Sequence, residues 1–281
     1  MSRLDQFASY LPRRLVERVA LRGTVPDAVS SDHFEASALF ADITGFTPLA
    51  ESLAKEGPRG AERLTEILEI VFTPLIDRVL DSGGDIMLFA GDAILAVWPT
   101  ARSLPLDSAA RMAVRCALAC QDAIHSLELP DHDARLSMRI GVGAGECAMH
   151  EVGGVDGRWL AVPAGPALVR MGRAEKAASP GDVVVADEVF PLVEGAFELE
   201  RIHSGFRVLA ARDGEDSARR PVPDPPEPPA EHAVRAYVAD SVLSRIDADQ
   251  TRWMAELRTV SSVFVQLPGL TPTESVQVTV L

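Results

Sequence analysis

Two aspartates stand where a metal ion could bridge them to a phosphate. Asp42 ends the apolar run SALFADI, which is typical of a buried strand, and Thr47 followed by Pro48 indicates an N-cap residue with proline at the first helical position. The amides of a helix N-terminus bind anions, whereas Asp42 would repel a phosphate unless a cation lay between them. The pattern therefore favours a metal-bridged phosphate site.

A hairpin places the second aspartate, Asp92. The run GGDIMLFAGDAILAVW predicts two strands, 85–90 and 93–98, joined by a two-residue turn, Gly91-Asp92. If this hairpin lies beside the strand that ends at Asp42, both carboxylates share one sheet edge and suit Mg²⁺, which prefers oxygen ligands. Taken singly, each aspartate is more typical of a cap or a turn, so the hypothesis depends on the pair.

The elements that must position this pair alternate between strand and helix, which predicts an α/β (α+β) fold with a mixed sheet and flanking helices. An amphipathic helix is expected at 4–21, with Pro12 kinking or restarting it. Strands are predicted at 36–43, 85–90, 93–98, 136–144, 147–152 and 183–186, and helices near 60–81, 106–127 and 166–178.

Composition excludes two classes of function. The 281 residues carry a formal net charge of -14, which works against a nucleic-acid partner because such binding depends on Lys and Arg contacts to phosphates. No run reaches the roughly 18 consecutive apolar residues of a membrane span, and the N-terminus has no cleavable apolar leader. A cytoplasmic location is expected.

A proline-rich linker is followed by what looks like a repeat. Six prolines fall between Pro221 and Pro229, which predicts an extended linker over 211–232. Beyond it, the segment around Tyr237 echoes the one around Tyr10, and SSVFVQLPGLT at 261–271 echoes SALFADITGFT at 37–47. Chance similarity of short amphipathic stretches is the alternative, but the ordered echo favours a duplicated domain.

The two linked motifs, FADITGFT and GGDIMLFAGDAILAVW, resemble the catalytic domain of class III adenylate and guanylate cyclases. The resemblance is to the soluble, bicarbonate-responsive type with two catalytic domains in tandem, and it runs from about Phe34 to Arg207. It implies a ferredoxin-like nucleotide cyclase fold. The expected organisation is an N-terminal helix and lead-in at 1–33, a first-half cyclase domain at 34–210 and the start of a second, incomplete one at 233–281.

The resemblance also implies a mechanism. The side chains of Asp42 and Asp92, with the carbonyl of Ile43, would hold two Mg²⁺ ions, for which Mn²⁺ may substitute. The ribose 3′-hydroxyl would attack the α-phosphate of ATP, favoured over GTP, and release pyrophosphate. Backbone amides of four residues would receive the β and γ phosphates: Thr44, Gly45, Phe46 and Thr47.

Three positions depart from the family pattern. The purine-selecting lysine is replaced by Leu88, the second base-recognising residue by Val162, and the ribose-orienting asparagine by Val169. Arg173 matches the arginine that stabilises the transition state. The metal side is thus present and the substrate side is not, which predicts that a complementary cyclase domain or a homodimer completes the site.

Two functions follow from this asymmetry. One is the metal-binding half of an adenylate cyclase, weak or inactive without its complement; the other is a catalytically silent cyclase-like module for dimerisation or ligand sensing. A third class with two-metal chemistry, a polymerase-palm or diguanylate-cyclase relative, is disfavoured by the DITGFT motif and because the GGD sequence does not continue as GGDEF.

Overall fold

The computed structural model describes residues 2–129, 135–212 and 229–248. Within them an eight-stranded mixed sheet has the order β2-β3-β1-β4-β6-β8-β7, and β5 pairs with β4 outside this path. The strands are β1 Ser30–Thr44, β2 Asp85–Ala90, β3 Ala93–Pro99, β4 Ser137–Val155, β5 Arg158–Ala164, β6 Val183–Val185, β7 Phe197–Ile202 and β8 Gly205–Ala211.

Helices cover both faces of this sheet. They are α1 Arg3–Ala8, α2 Arg13–Arg22, α3 Phe46–Ala54, α4 Pro58–Asp81, α5 Leu106–His125, α6 Pro166–Ala177, α7 Phe190–Val193, α8 Glu231–Arg235 and α9 Asp240–Asp247.

Alternation along β1 separates two cores. Leu39, Ala41 and Ile43 point to the core that contains α3, α4 and α5, whereas Ala36 and Ala38 point to the core that contains α1, α2, α8 and α9. Successive side chains of a strand face opposite sides of the sheet, so one strand contributes to both. The predicted mixed sheet with flanking helices is confirmed.

Helix α6 lies unusually close to β4. A Cβ added at Gly141 would lie 2.3 Å from the backbone nitrogen of Glu175, and one at Gly143 would lie 2.3 Å from the carbonyl oxygen of Ala167. The glycines of the run GVGAG therefore allow the helix backbone to contact the strand, and they lie within a strand.

Most predicted elements are present, with two differences and one choice resolved. The strands predicted at 136–144 and 147–152 form one strand, β4, with Gly145 at a φ of 125° between them. The helix predicted at 4–21 restarts at Pro12, one of the two outcomes predicted there: α1 ends at Ala8, and Pro12 is the N-cap of α2. Strands β5, β7 and β8 were not predicted; β5 and β8 do not alternate cleanly between apolar and polar residues, whereas β7 does so only over its first four residues.

Parts of the predicted organisation lie outside the described residues: 213–228 of the linker, and everything after residue 248 in the second repeat. Of the helices in the described part of the chain, none combines the length and the apolar character needed to span a membrane.

Candidate active site

Strand pairing brings the two aspartates together. In the β1–β3 register Asp42 is opposite Ala93, the residue that follows Asp92. The backbone amide of Ile43 donates a hydrogen bond to the carbonyl oxygen of Asp92, at 3.3 Å. The hairpin tip therefore lies against the end of β1, as the sequence predicted.

Helix α3 begins earlier than expected, and this corrects the role of Thr47. Gly45 is the N-cap, with a left-handed φ of 94°, and the helix starts at Phe46. Thr47 was predicted as the N-cap, but it lies inside the first turn, and its hydroxyl donates to the Asp92 carboxylate at 2.8 Å. Glycine reaches the left-handed conformation without steric cost, so the turn selects Gly45 instead of the threonine.

The N-terminus of α3 has no side-chain cap among the described residues. The first four amides of a helix have no partner within the helix and carry a partial positive charge. Here Pro48 has no N–H to offer, but Gly45 and Thr47 line the cleft together with Asp42 and Asp92, which suits the phosphate role predicted for 44–47.

Arg139 is a member of the site that sequence reasoning missed. It lies opposite Asp42 in the β1–β4 register and donates a hydrogen bond to the Asp42 carboxylate. A second carboxylate, Glu175 on α6, lies 3.2 Å from the same guanidinium. The hydrogen bond to Asp42 raises the pKa of Arg139 above its ordinary value. Only the pairing of β1 with β4, distant in sequence, brings it here.

These groups border an open cleft of about 460 Å³. Its walls come from the end of β1, the start of α3, the hairpin tip and the segment after α6. The lining residues are Asp42, Ile43, Thr44, Gly45, Thr47, Pro48, Asp92, Arg139, Ala178, Ser179 and Pro180.

The donor set of this cleft fits Mg²⁺. No group of three or more His, Cys, Asp and Glu side chains gathers as a metal site among the described residues, so a closed site of the zinc type is not formed there. Mg²⁺ instead binds through one or two carboxylates, water and substrate phosphates. The Thr44 hydroxyl is buried without a hydrogen-bond partner in the described structure, which leaves one more oxygen in the cleft wall unsatisfied.

Arg173 lies in a different place. It lines two adjoining clefts between α6 and the β7–β8 turn, of about 360 and 380 Å³, together with Lys176 and His203. It is not among the residues that line the Asp42 and Asp92 cleft. Within one chain the structure therefore does not bring the three predicted catalytic residues together.

The three apolar substitutions occupy two environments. Leu88 is partly buried and packs against the core beneath α2. Val162 on β5 and Val169 on α6 are 42% and 55% exposed. None of them offers a hydrogen bond, so the chain alone presents no polar group at these positions to a purine or ribose.

A family model identifies the chain. The model described as the adenylate and guanylate cyclase catalytic domain matches residues 29–208. The chain belongs to this family. The matched range contains β1 through β7, the first four residues of β8 and all the site residues above.

Relatives among characterised proteins carry adenylate cyclase names. "Adenylate cyclase type 10" from rabbit is 29% identical over 272 residues, covering 86% of this chain and 17% of that protein, and the human protein gives 29% over 276 residues. An "Adenylate cyclase" from Mycobacterium tuberculosis is 30% identical over 197 residues, covering 70% of this chain and 42% of its own length. The chain thus spans less than a fifth of the type 10 relatives.

Solved structures share the fold. The adenylyl cyclase CyaB from P. aeruginosa superposes with a TM-score of 0.52 at 20% identity, covering 67% of this chain and 98% of CyaB. The guanylate cyclase domain of RhGC from Catenaria anguillulae, in complex with GTP, gives 0.53 at 19% identity, covering 64% and 100%.

Proposed function

We propose that this cyclase catalytic domain is the metal-binding and triphosphate-binding half of an adenylate cyclase that converts ATP to cyclic AMP and pyrophosphate. The observation that carries the proposal is the cleft in which Asp42, Asp92 and Arg139 meet the uncapped start of α3. The preference for ATP is supported by the names of the relatives, which are adenylate cyclases.

Each group in the cleft has a role in this reaction. The carboxylates of Asp42 and Asp92 and the carbonyl of Ile43 hold the ions, and the Thr47 hydroxyl fixes the orientation of the Asp92 carboxylate. Two Mg²⁺ ions supply activation of the 3′-hydroxyl and neutralisation of the leaving pyrophosphate. Backbone amides at the start of α3 donate hydrogen bonds to oxygens of the β and γ phosphates.

Arg139 adds a positive charge beside Asp42. Counting Glu175, three carboxylates surround one guanidinium, so the wall of the cleft carries a net negative charge that a polyphosphate alone would not approach favourably. Ions held by Asp42 and Asp92 would offset this charge, and the Arg139 guanidinium could then donate to phosphate oxygens, for which its planar geometry is suited.

The purine and ribose contacts come from a complementary domain. Leu88, Val162 and Val169 cannot donate or accept hydrogen bonds, and Arg173 lies in another cleft. The site is therefore completed across an interface. With a complementary domain, Arg173 of this chain would face the second, degenerate cleft; in a homodimer, it would face the metal site of the other copy. One solved member of the fold, a guanylyl cyclase domain of a RhoGC fusion protein, is described as a non-canonical dimer, which shows that such domains can pair.

A silent module is the second candidate, and the same apolar positions favour it. A homodimer would lack the purine-selecting lysine and the ribose-orienting asparagine in both clefts. Such an assembly would bind metal and polyphosphate without turnover.

Mixing experiments separate the two candidates. The chain is combined with a cyclase domain that carries the purine-selecting lysine and the asparagine, with ATP and Mn²⁺, and cyclic AMP is measured. The mixture is expected to be active, and Asp92→Asn to lower turnover at least about a hundredfold. Asp77→Asn, at an exposed position on α4, is the matched control and keeps full activity. Equal turnover of wild type and Asp92→Asn would refute the metal site, and no turnover in any mixture would support the silent module.

A further inference from the structure

Two pairs of helices in this chain, α1 with α2 and α8 with α9, have matching boundaries. The C-cap of α1 is Ser9 and that of α8 is Ala236, while the N-cap of α2 is Pro12 and that of α9 is Ala239. Both pairs of caps, like Tyr10 and Tyr237, are 227 residues apart. The sequence echo thus extends to the boundaries of the helices, as expected if each pair introduces one repeated domain.

The second pair cannot be stable alone. Helices α8 and α9 have five and eight residues, and isolated helices of this length are marginal in water. They bury one continuous apolar surface against Phe7, Leu15 and Val19 of the first pair. Its buried residues are Ala233, Val234, Ala236, Tyr237, Val238, Leu243 and Ile246.

A buried charge cluster joins the second pair to the sheet. Glu151 on β4 has no exposed surface and accepts hydrogen bonds from Arg18 at 2.7 Å, Arg22 at 2.8 Å and the hydroxyl of Tyr237. Burial raises the pKa of Glu151, but hydrogen bonds from Arg22, Tyr237 and Arg18 outweigh it and hold the pKa at about 2. Tyr237 is the member that comes from beyond the linker.

The β4–β5 hairpin supplies a second set of contacts. Arg158 donates to the carbonyl oxygens of Arg235, the last residue of α8, and Val238, in the connection to α9, and it pairs with Asp240 at 3.2 Å. The backbone amide of Trp159, whose ring is buried, donates to the carbonyl oxygen of Ala236 at 2.9 Å. A cation at carbonyls that have no partner within the helix stabilises the helix end.

The contact surface lies far from the cleft. Glu151 and Arg139 are twelve residues apart on β4, and a strand rises about 3.3 Å per residue, so roughly 40 Å of strand separates them. Because α8 and α9 contact the sheet near Glu151, the edge of the sheet that carries Asp42 stays accessible to a complementary domain.

We infer that α8 and α9 form a docking segment, the opening helix pair of the repeat that follows, and that it binds the first domain in cis independently of the linker. The similarity to the type 10 adenylate cyclases supports the assignment of α8 and α9 to a repeat. It covers 86% of the chain, which is about 60 residues more than the 180 residues of the family match at 29–208. Since only 28 residues precede that range, the similarity continues after residue 208.

Cleavage of the linker tests this docking. A specific protease site is inserted in the full chain between residues 213 and 228, the folded protein is cut, and the pieces are followed by native size exclusion with light scattering. The expected result is one complex with one copy of each piece. Separation of the pieces at micromolar concentration would overturn the inference, and a complex with two copies of each would show exchange between chains instead of docking in cis.

Two variants assign the contacts. Arg158→Met removes the hydrogen bonds to the carbonyls of Arg235 and Val238, and Tyr237→Phe removes the hydroxyl that donates to Glu151. Each is expected to weaken association of the cut pieces, Arg158→Met about thirtyfold or more. Arg102→Met, at an exposed position, is the matched control and leaves association unchanged. Thermal unfolding of the uncut variants reports whether they fold. If both folded variants hold the pieces as tightly as wild type, the docking contacts assigned here are wrong.

Discussion

Replacing Glu151 by glutamine perturbs the most deeply buried charge of the described structure. In the folded protein the pKa of this carboxyl is about 2, against an ordinary value of 4.5. A difference of about 2.5 in pKa, at 1.36 kcal/mol for each unit, corresponds to about 3 kcal/mol of stability at neutral pH. Because the folded-state pKa is the lower one, this stability is present above pH 4.5 and is lost as the pH falls toward 2.

Glutamine preserves the shape of the side chain but cannot ionise. Urea unfolding of Glu151→Gln, followed by tryptophan fluorescence at several pH values, is expected to show a loss of about 3 kcal/mol at pH 7 that shrinks as the pH falls from 4.5 toward 2. Glu198→Gln, at an exposed position on β7, is the control and changes stability by less than about 0.5 kcal/mol. A loss below about 1 kcal/mol at pH 7, or one that does not change with pH, would refute the reasoning.

Three further predictions concern the site and its supports. Gly45→Ala places a Cβ at a left-handed φ of 94°, and it is expected to lower the free energy of unfolding by about 1–2 kcal/mol and to weaken Mn²⁺ binding. The control is Gly172→Ala, in the middle of α6 with open space around it, which is expected to stabilise the protein by up to about 1 kcal/mol in thermal unfolding. Arg139→Met is expected to raise the KM for ATP about tenfold or more in the mixed cyclase assay, while Arg102→Met does not; an unchanged KM would remove Arg139 from the phosphate site. Asp85→Ala removes the buried carboxylate that accepts the amides of Arg13 and Arg14 at 2.8 Å, and should destabilise the protein by about 1–2 kcal/mol in urea unfolding, compared with no change for Asp77→Ala.

The sequence predicted those parts of the site that local patterns encode. The two strands around Gly91 and Asp92 are contiguous in sequence, and a two-residue turn fixes their register, so the hairpin could be placed correctly. The end of β1 was also predictable, because an apolar run meets a carboxylate and then a helix signal.

Contacts between distant segments were not predictable in this way. Arg139 reaches Asp42 only because β4 pairs with β1, ninety-seven residues away, and no local pattern marks that pairing. The N-cap was assigned to Thr47 on its side chain, but the left-handed backbone at Gly45 determined the turn instead. Likewise the Glu151 cluster joins three distant segments; Tyr237 was noted in the sequence only as part of the repeat, and no local pattern marks it as a partner of Glu151.

Metal binding by the two aspartates is the central claim, and Mn²⁺ binding measured by electron paramagnetic resonance tests it most directly. The full chain is titrated with Mn²⁺ in the presence of a non-hydrolysable ATP analogue, alongside Asp42→Asn, Asp92→Asn and the surface control Asp77→Asn. Wild type and Asp77→Asn are expected to bind the ion, and both site variants to weaken binding at least about tenfold. Equal Mn²⁺ affinity in all four proteins would contradict the account.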